Sequence, residues 1–269
     1  MSTVSRDELL WRHLRDLPYF RAMLRAVEDG FYQDLKLETP ILDLGCGDGH
    51  FASVAFSHPL DVGLDPWHAV LHEADSRRAY IHAVQADGAI QPFEDRYFGS
   101  AISNSVLEHI PHIQEVLNEL GRVMKPGSRF IFCTPNHRFN DSLWGTRLFR
   151  GLGLKRLAVA YIRFYNRIAR HKYCDSPETW QRRLALAGFE LVKTWDYFPP
   201  AALHVLEWGH LFGLPSLFWR KVTGRWILVR RRWNLVFPWL LTRRYLDDPV
   251  CPDGTMTFYI ARRKGIVRG

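Results

Sequence analysis

The chain predicts an α/β fold: a mostly parallel sheet covered by helices on both faces. Two observations carry this. From residue 41 onward strand-like and helix-like segments alternate, as they do where a crossover helix returns each parallel strand to the sheet. The first strand also runs straight into a glycine turn, ILDLGCGDGHF at residues 41–51, the kind of turn that lets backbone bend sharply or press on a ligand. The totals fit one elaborated domain: 269 residues, 47% hydrophobic and 24% charged, enough to bury a sizeable core.

Taken in order, Ser5-Arg-Asp-Glu8 has capping-box spacing, and the stretch to about Val27 reads as one or two amphipathic helices broken at Pro18. Ile41–Leu44 is a strand and His50–Phe56 opens a helix. Val62–Leu64 is a strand, followed by a helix from Pro66 to about Ala79. Ile81–Ala86 and Ser100–Ser103 are strands. His112–Met124 is a helix stopped by Lys125-Pro126-Gly127, and Arg129–Cys133 is the next strand. Ser176–Ala187 is a helix with Ser176 as cap, Pro177 at its first position and Gly188 at its end. Phe189–Trp195 is a strand, and Thr255–Ala261 is the last one, behind the turn signal Asp253-Gly254. No internal repeat or low-complexity tract interrupts the series.

Several classes are disfavoured. No stretch approaches the roughly 18 consecutive apolar residues of a membrane span. The longest candidate, Trp233 to Leu241, carries Asn234 and Pro238. Arg6, Asp7, Glu8, Arg12 and Arg15 break up any signal-peptide run. Cys46, Cys133, Cys174 and Cys251 are scattered without a C-x-x-C pair, which reads as reduced thiols in a cytoplasmic protein.

In a doubly wound sheet the turn after the first strand lies at the carboxyl edge, where ligands bind. A dinucleotide site would want G-x-G-x-x-G, with the helix N-terminus on a pyrophosphate. Here the spacing is G-x-G-x-G, preceded by Asp43, and a carboxylate there repels phosphate and favours an ammonium or sulfonium. Asp65 ends the second strand, placed to accept both hydroxyls of a ribose. Asp87, followed by Gly88, ends the third, placed to accept from an adenine amino group. Asp65-Pro66 also reads as an N-cap with proline at the first helical position, and Asp87-Gly88 as an ordinary turn. Three acids at the ends of three successive strands are harder to attribute to caps.

The segments ILDLGCGDGHF, GLD ending at Asp65, QADGAIQPFEDRYFGSAISNSVLEHI and ELGRVMKPGSRFIFCTPN resemble the class I S-adenosylmethionine (SAM)-dependent methyltransferases, nearest the branch with an "LEH" signature that includes ubiquinone- and menaquinone-type enzymes. The resemblance is close over about residues 38–135. It resumes weakly at His171–Val192 and lapses between. It implies a Rossmann-like sheet of seven strands with the last inserted antiparallel, and SAM as cofactor. It places Gly45, Cys46, Gly47 and Gly49 under the methionine portion with Asp43 beside them. Asp65 and Pro66 then lie at the ribose, Asp87 and Gly88 at the adenine, and Ser103–Asn104 along the methionine. Residues 1–37 would form a helical lid, and residues 38–269 the methyltransferase domain with insertions at 136–174 and 198–250.

Methyl transfer from a sulfonium is an in-line displacement with a neutral leaving group, so alignment can supply ~7–11 kcal/mol of the barrier. A hydroxyl acceptor also needs a base. His109, with an ordinary pKa of about 6.5, is the candidate, with Glu108 to orient it; packing between helix and sheet is the alternative role. Some relatives hold a metal with E-x-x-E-H, but here the first position is Ser105, so no metal is expected. Asn136, His137, His171 and Tyr173 fall on loops expected at the acceptor side.

The net charge of +8 is uneven. Residues 136–174 hold nine Lys and Arg against one Asp, and residues 198–250 hold eight against three acids, so these segments carry +13 and the rest −5. On a helix at about 100° per residue, Leu154, Leu157, Tyr161, Phe164, Tyr165 and Ile168 share one face, opposite Arg156, Arg163, Arg167 and Arg170. Half of the ten tryptophans lie in residues 198–250. Basic residues with tryptophan suit an anionic membrane surface or a single-stranded nucleic acid. The apolar runs Trp226–Val229 and Leu235–Leu241 favour lipid. The leading expectation is methylation, on oxygen or carbon, of a small hydrophobic or lipid-like acceptor by a cytoplasmic protein met at the inner membrane face. An RNA methyltransferase, a soluble small-molecule or sugar methyltransferase, and a SAM-binding regulator without turnover are the alternatives. The oligomeric state is not legible.

Overall fold

Hydrophobic strand residues need a covered sheet, and the chain supplies the cover in sequence order. A computed structural model describes residues 4–265. It begins with α1 (Arg6–Leu14) and α2 (Tyr19–Tyr32), then β1 (Ile41–Leu44), α3 (His50–Ala55), β2 (Leu60–Asp65), α4 (His68–Arg77), β3 (Tyr80–Gln85) and β4 (Phe98–Asn104). A 3-10 turn at Leu107–His109 leads to α5 (Ile113–Val123), β5 (Met124–Pro135), α6 (Phe139–Ser142), α7 (Trp144–Gly151) and α8 (Lys155–Ala169). Then follow α9 (Pro177–Leu186), β6 (Phe189–Tyr197), α10 (Pro200–Phe212), α11 (Leu214–Thr223), α12 (Arg232–Thr242) and β7 (Met256–Arg263).

The seven strands form one sheet in the order β3-β2-β1-β4-β5-β7-β6. The pairs among β1 to β5 are parallel, and β7 runs antiparallel to β5, with Ile131 opposite Ile260. The expected seven-stranded sheet with its last strand inserted antiparallel is therefore present. Strand order reverses at β1, which has β2 on one side and β4 on the other; crevices for ligands open at such points.

By chain contacts the protein divides into two units. One is Lys36–His137, Phe164–Trp195 and Met256–Gly269; the other is Met1–Leu35, Arg138–Arg163 and Asp196–Thr255. The sheet unit has its core where α5 and α9 lie on the strands. Val116, Leu120, Phe132, Trp180, Phe189 and Tyr259 are buried together there. Ser176 caps α9 by accepting from the Thr179 amide, with Pro177 in the first turn, as expected. Lys125-Pro126-Gly127 does not stand between helix and strand, as the sequence suggests. It lies within β5 as a bulge, with Gly127 at φ +84° and a register shift between Phe98 and Ser100.

In the helical unit, α1 and α2 pack with α10 and α12, so the N-terminal residues share a unit with the basic segments. Ser5 caps α1 by accepting from the Glu8 amide, and α2 runs on to Tyr32, past the expected end near Val27. The buried carboxylate of Glu207 in α10 accepts from the amides of Trp144 (2.6 Å) and Gly145 (3.0 Å) at the start of α7, and from the Tyr161 hydroxyl of α8. The apolar face of α8 that periodicity groups together is only partly covered. Tyr165 and Ala158 are buried and Tyr161 is partly covered, whereas Leu154, Leu157, Phe164 and Ile168 are exposed.

Candidate active site

The glycine turn hangs from the end of β2: the amides of Gly45 and Cys46 both donate to the Leu64 carbonyl, at 2.8 and 3.1 Å. Gly45 sits at φ +78°, and a methyl group there would collide with Val106, just past the end of β4. Gly47 has φ +54°, but a Cβ there would meet no atom within 4 Å. The first glycine is therefore needed for close approach within the chain. The second turns bare backbone toward open space that a ligand can fill. Ser103 of β4 closes the switch point by donating to the Leu44 carbonyl at 2.8 Å.

Each of the three acids is held. Asp43 is buried and accepts a 2.7 Å hydrogen bond from the Tyr80 hydroxyl at the start of β3. Asp65 accepts from the Gly47 amide and, through its other oxygen, from the Trp67 amide, both at 3.0 Å. The helix-cap alternative for Asp65-Pro66 needs correcting: α4 starts at His68 with Trp67 as its cap residue, so Asp65 spans a turn ahead of the helix and braces the glycine loop. Burial raises the Asp65 pKa above the ordinary carboxylate value, opposed by the amides of Trp67 and Gly47. Asp87 accepts from the Ala89 amide at 2.9 Å and from His112 Nε2 at 3.0 Å. Chiefly through the Ala89 amide, then His112, its pKa lies below the ordinary value. Gly88 next to it packs closely on Val116 of α5.

Cys46 reports the field in this turn. Burial first, then the charges of Asp43 and Asp65, push its thiol far above the ordinary range. The smaller part of that push, from the carboxylates of Asp43 and Asp65, marks the turn as unfavourable for an added anion such as phosphate. The residues around the glycine turn fit SAM. Three carboxylates, Asp43, Asp65 and Asp87, can accept from a cation and from hydroxyl and amino groups, and Gly47 leaves backbone uncovered near Asp65. Asn104 ends β4 and is buried, its Oδ1 accepting from the Cys133 thiol at 3.0 Å.

Val106 to His109 follow Ser105, a non-glycine residue at φ +54° that swings the chain out of β4. The His109 Nδ1 atom lies 3.0 Å from the Arg170 carbonyl, which can only accept, so Nδ1 carries the proton and Nε2 is the basic nitrogen. The carboxylate of buried Glu108 stands 3.8 Å from Nε2, and the ring of His171 stacks on that of His109 with centroids 5.5 Å apart. The amides of Lys172 and Tyr173 donate to the Glu108 carbonyl at 2.7 and 3.3 Å and fix the two strips of chain together.

The structure thus gathers Glu108, His109 and His171. Tyr173 belongs to the same strip, but its hydroxyl donates to the Pro111 carbonyl and Arg183 covers its ring. Asn136 is turned into the sheet, where its amide donates to Thr257 Oγ1 of β7 at 3.0 Å, while His137 beside it is exposed. Tyr80 and His112, which orient Asp43 and Asp87, are not foreseen from the sequence. No spacing signals a partner 37 residues away. Among the described residues no three His, Cys, Asp or Glu side chains gather as metal ligands would.

Comparison with known proteins agrees with this geometry. The model of a family described as a methyltransferase domain matches residues 10–194. The chain is 30% identical over 173 residues to 2-phytyl-1,4-naphtoquinone methyltransferase of Synechococcus elongatus, covering 58% of this chain and 73% of that one. It is 29% identical over 104 residues to botryococcene C-methyltransferase of Botryococcus braunii, covering 36% of this chain and 27% of the other. In fold it is similar to a putative sarcosine dimethylglycine methyltransferase from Galdieria sulphuraria, with a TM-score of 0.55 at 15% identity, covering 89% of this chain and 84% of that one. The chain belongs to the methyltransferase-domain family and is a SAM-dependent methyltransferase.

Proposed function

We propose that this enzyme methylates a small hydrophobic, lipid-like acceptor on oxygen or carbon, and that His109 is its base or acceptor contact. The reading carries over the quinone-type branch whose LEH signature the chain matches at Leu107–His109. The observation that carries it is the tautomer of His109: a carbonyl fixes the proton on Nδ1, so Nε2 can take a proton from an acceptor hydroxyl or an activated carbon. Glu108 then stabilises the imidazolium that forms, 3.8 Å away. SAM, when bound, supplies an electrophilic methyl group. Asp65, Asp87 and the loop at Gly45–Gly49 position it, and water exclusion and alignment do the rest.

The relatives support a hydrophobic acceptor, since one is named for a phytyl naphthoquinone and another for botryococcene. Two of the tryptophans in residues 198–250 lend the RNA alternative little support, because their faces are already taken. Trp239 stacks on Trp11 and under Arg243, and Trp226 lies beneath Arg21 and Arg220. The test is an acceptor panel with methyl-labelled SAM: a prenylated quinol, a simple phenol, a sugar and total RNA. Label in the prenylated quinol supports the proposal. Label confined to RNA or sugar refutes it.

A further inference from the structure

We infer that α12 is a membrane-docking helix that lies in the face of an anionic bilayer. Val236, Phe237 and Leu240 follow Trp233 at three, four and seven residues along the helix, so the four form a single stripe. All four are exposed, Trp233 and Phe237 at 72%. No charged residue interrupts the stripe. The other side of α12 is apolar too. Leu235 and Pro238 line a cavity of about 270 Å³ with Leu14, Leu17, Phe20 and Phe212 of the same unit. A helix with apolar stripes on two sides needs a non-aqueous partner for each, and protein fills the inner one.

The surrounding charge names the partner. Arg231, just before the helix, is exposed, as are Lys221 in the last turn of α11 and Arg225 between α11 and α12. Exposed Phe218, Trp219 and Val222 form a second stripe on α11. Of the acids in residues 198–250, Glu207 is buried under α7, which leaves Asp247 and Asp248 beyond the helix. Apolar stripes bordered by guanidinium and ammonium groups fit acyl chains beneath anionic headgroups. The helix has 11 residues, about 16 Å, against a hydrocarbon core of about 30 Å, so it lies on the bilayer and does not cross it. Among the described residues no helix is long and apolar enough to span. Arg230 and Arg232 serve differently: they pair with Asp16 and Glu8 of the helical unit, so they tie α12 to the N-terminal residues.

The test is flotation of the full chain with phosphatidylcholine vesicles, with and without phosphatidylglycerol. The wild type floats with the anionic vesicles, its tryptophan emission shifts to the blue, and added salt weakens binding because the field decays within about 8 Å at physiological ionic strength. Trp233→Ser with Phe237→Ser lowers the partition coefficient by at least roughly tenfold. Removing Arg231, Lys221 and Arg225 lowers it by roughly fivefold per residue, the equivalent of about 1 kcal/mol each. Calorimetric SAM binding on the same samples reports the fold, and Val236→Ser with Leu240→Ser reads the stripe a second way. A wild type that stays with the lipid-free fraction overturns the inference, as do stripe variants that float like the wild type. A dimer dispersed by the stripe variants, without flotation, also overturns it and gives the face to a second copy of the chain.

Discussion

Asp65 braces the Gly47 amide with one carboxylate oxygen, and we propose that the same group also binds the ribose of SAM. Asp65→Ala should weaken SAM binding by about 1.5–3 kcal/mol, the value of hydrogen bonds to a charged group, in isothermal calorimetry. Unchanged affinity in a folded variant would leave it a loop brace only. Its pH response has a definite sign. Burial raises its pKa, so on acidification it is protonated before an ordinary aspartate would be, and a protonated carboxyl offers ribose one acceptor fewer. SAM affinity should therefore start to fall at a pH above the ordinary aspartate value of about 3.9, and Asp65→Asn should flatten that limb. For folding alone the sign is opposite: the raised pKa makes this group's contribution greatest when protonated, and it diminishes as pH rises through that pKa. The acids themselves were legible in the sequence, because a strand end is a local feature. Their holders, Tyr80 and His112, were not, because a hydrogen bond between distant segments leaves no period or spacing.

Elements whose ends are set by neighbouring residues were read well. Ser5 and Ser176 cap α1 and α9 within three residues, and the glycine turn follows β1 where expected. Elements set by a distant side chain were not. Periodicity groups Leu157, Phe164 and Ile168 of α8 with Tyr161, but only the part of that face near Tyr161, which meets Glu207, is covered, and those three are exposed. Glu207→Ala should leave the Trp144 and Gly145 amides without their acceptor and cost about 1–3 kcal/mol in urea unfolding. Glu207→Gln, which keeps an acceptor oxygen, should cost less. Equal stability of all three proteins would show that the carboxylate does not anchor α7.

At the scale of the whole molecule, the parallel part of the sheet was within reach of the sequence because strand–helix alternation and the glycine turn constrain a doubly wound sheet, whereas the antiparallel β7 was implied only by the family resemblance. The division into a sheet unit and a helical unit was not. Three separated stretches make up the helical unit, and only tertiary contact joins residues before 36 to those after 195. The uneven charge was visible in the sequence, but not that Arg230 and Arg232 pair with Asp16 and Glu8.

The most direct measurement is a single turnover with labelled SAM and a hydrophobic acceptor, run on wild type and His109→Ala, with SAM affinity measured on the same preparations. A base at His109 predicts label in the organic extract from wild type, a rate about 10²–10⁴ lower in the variant, and equal SAM affinity in both. A variant that transfers methyl groups at the wild-type rate, or a wild type that binds SAM and labels nothing in the organic extract, would contradict it.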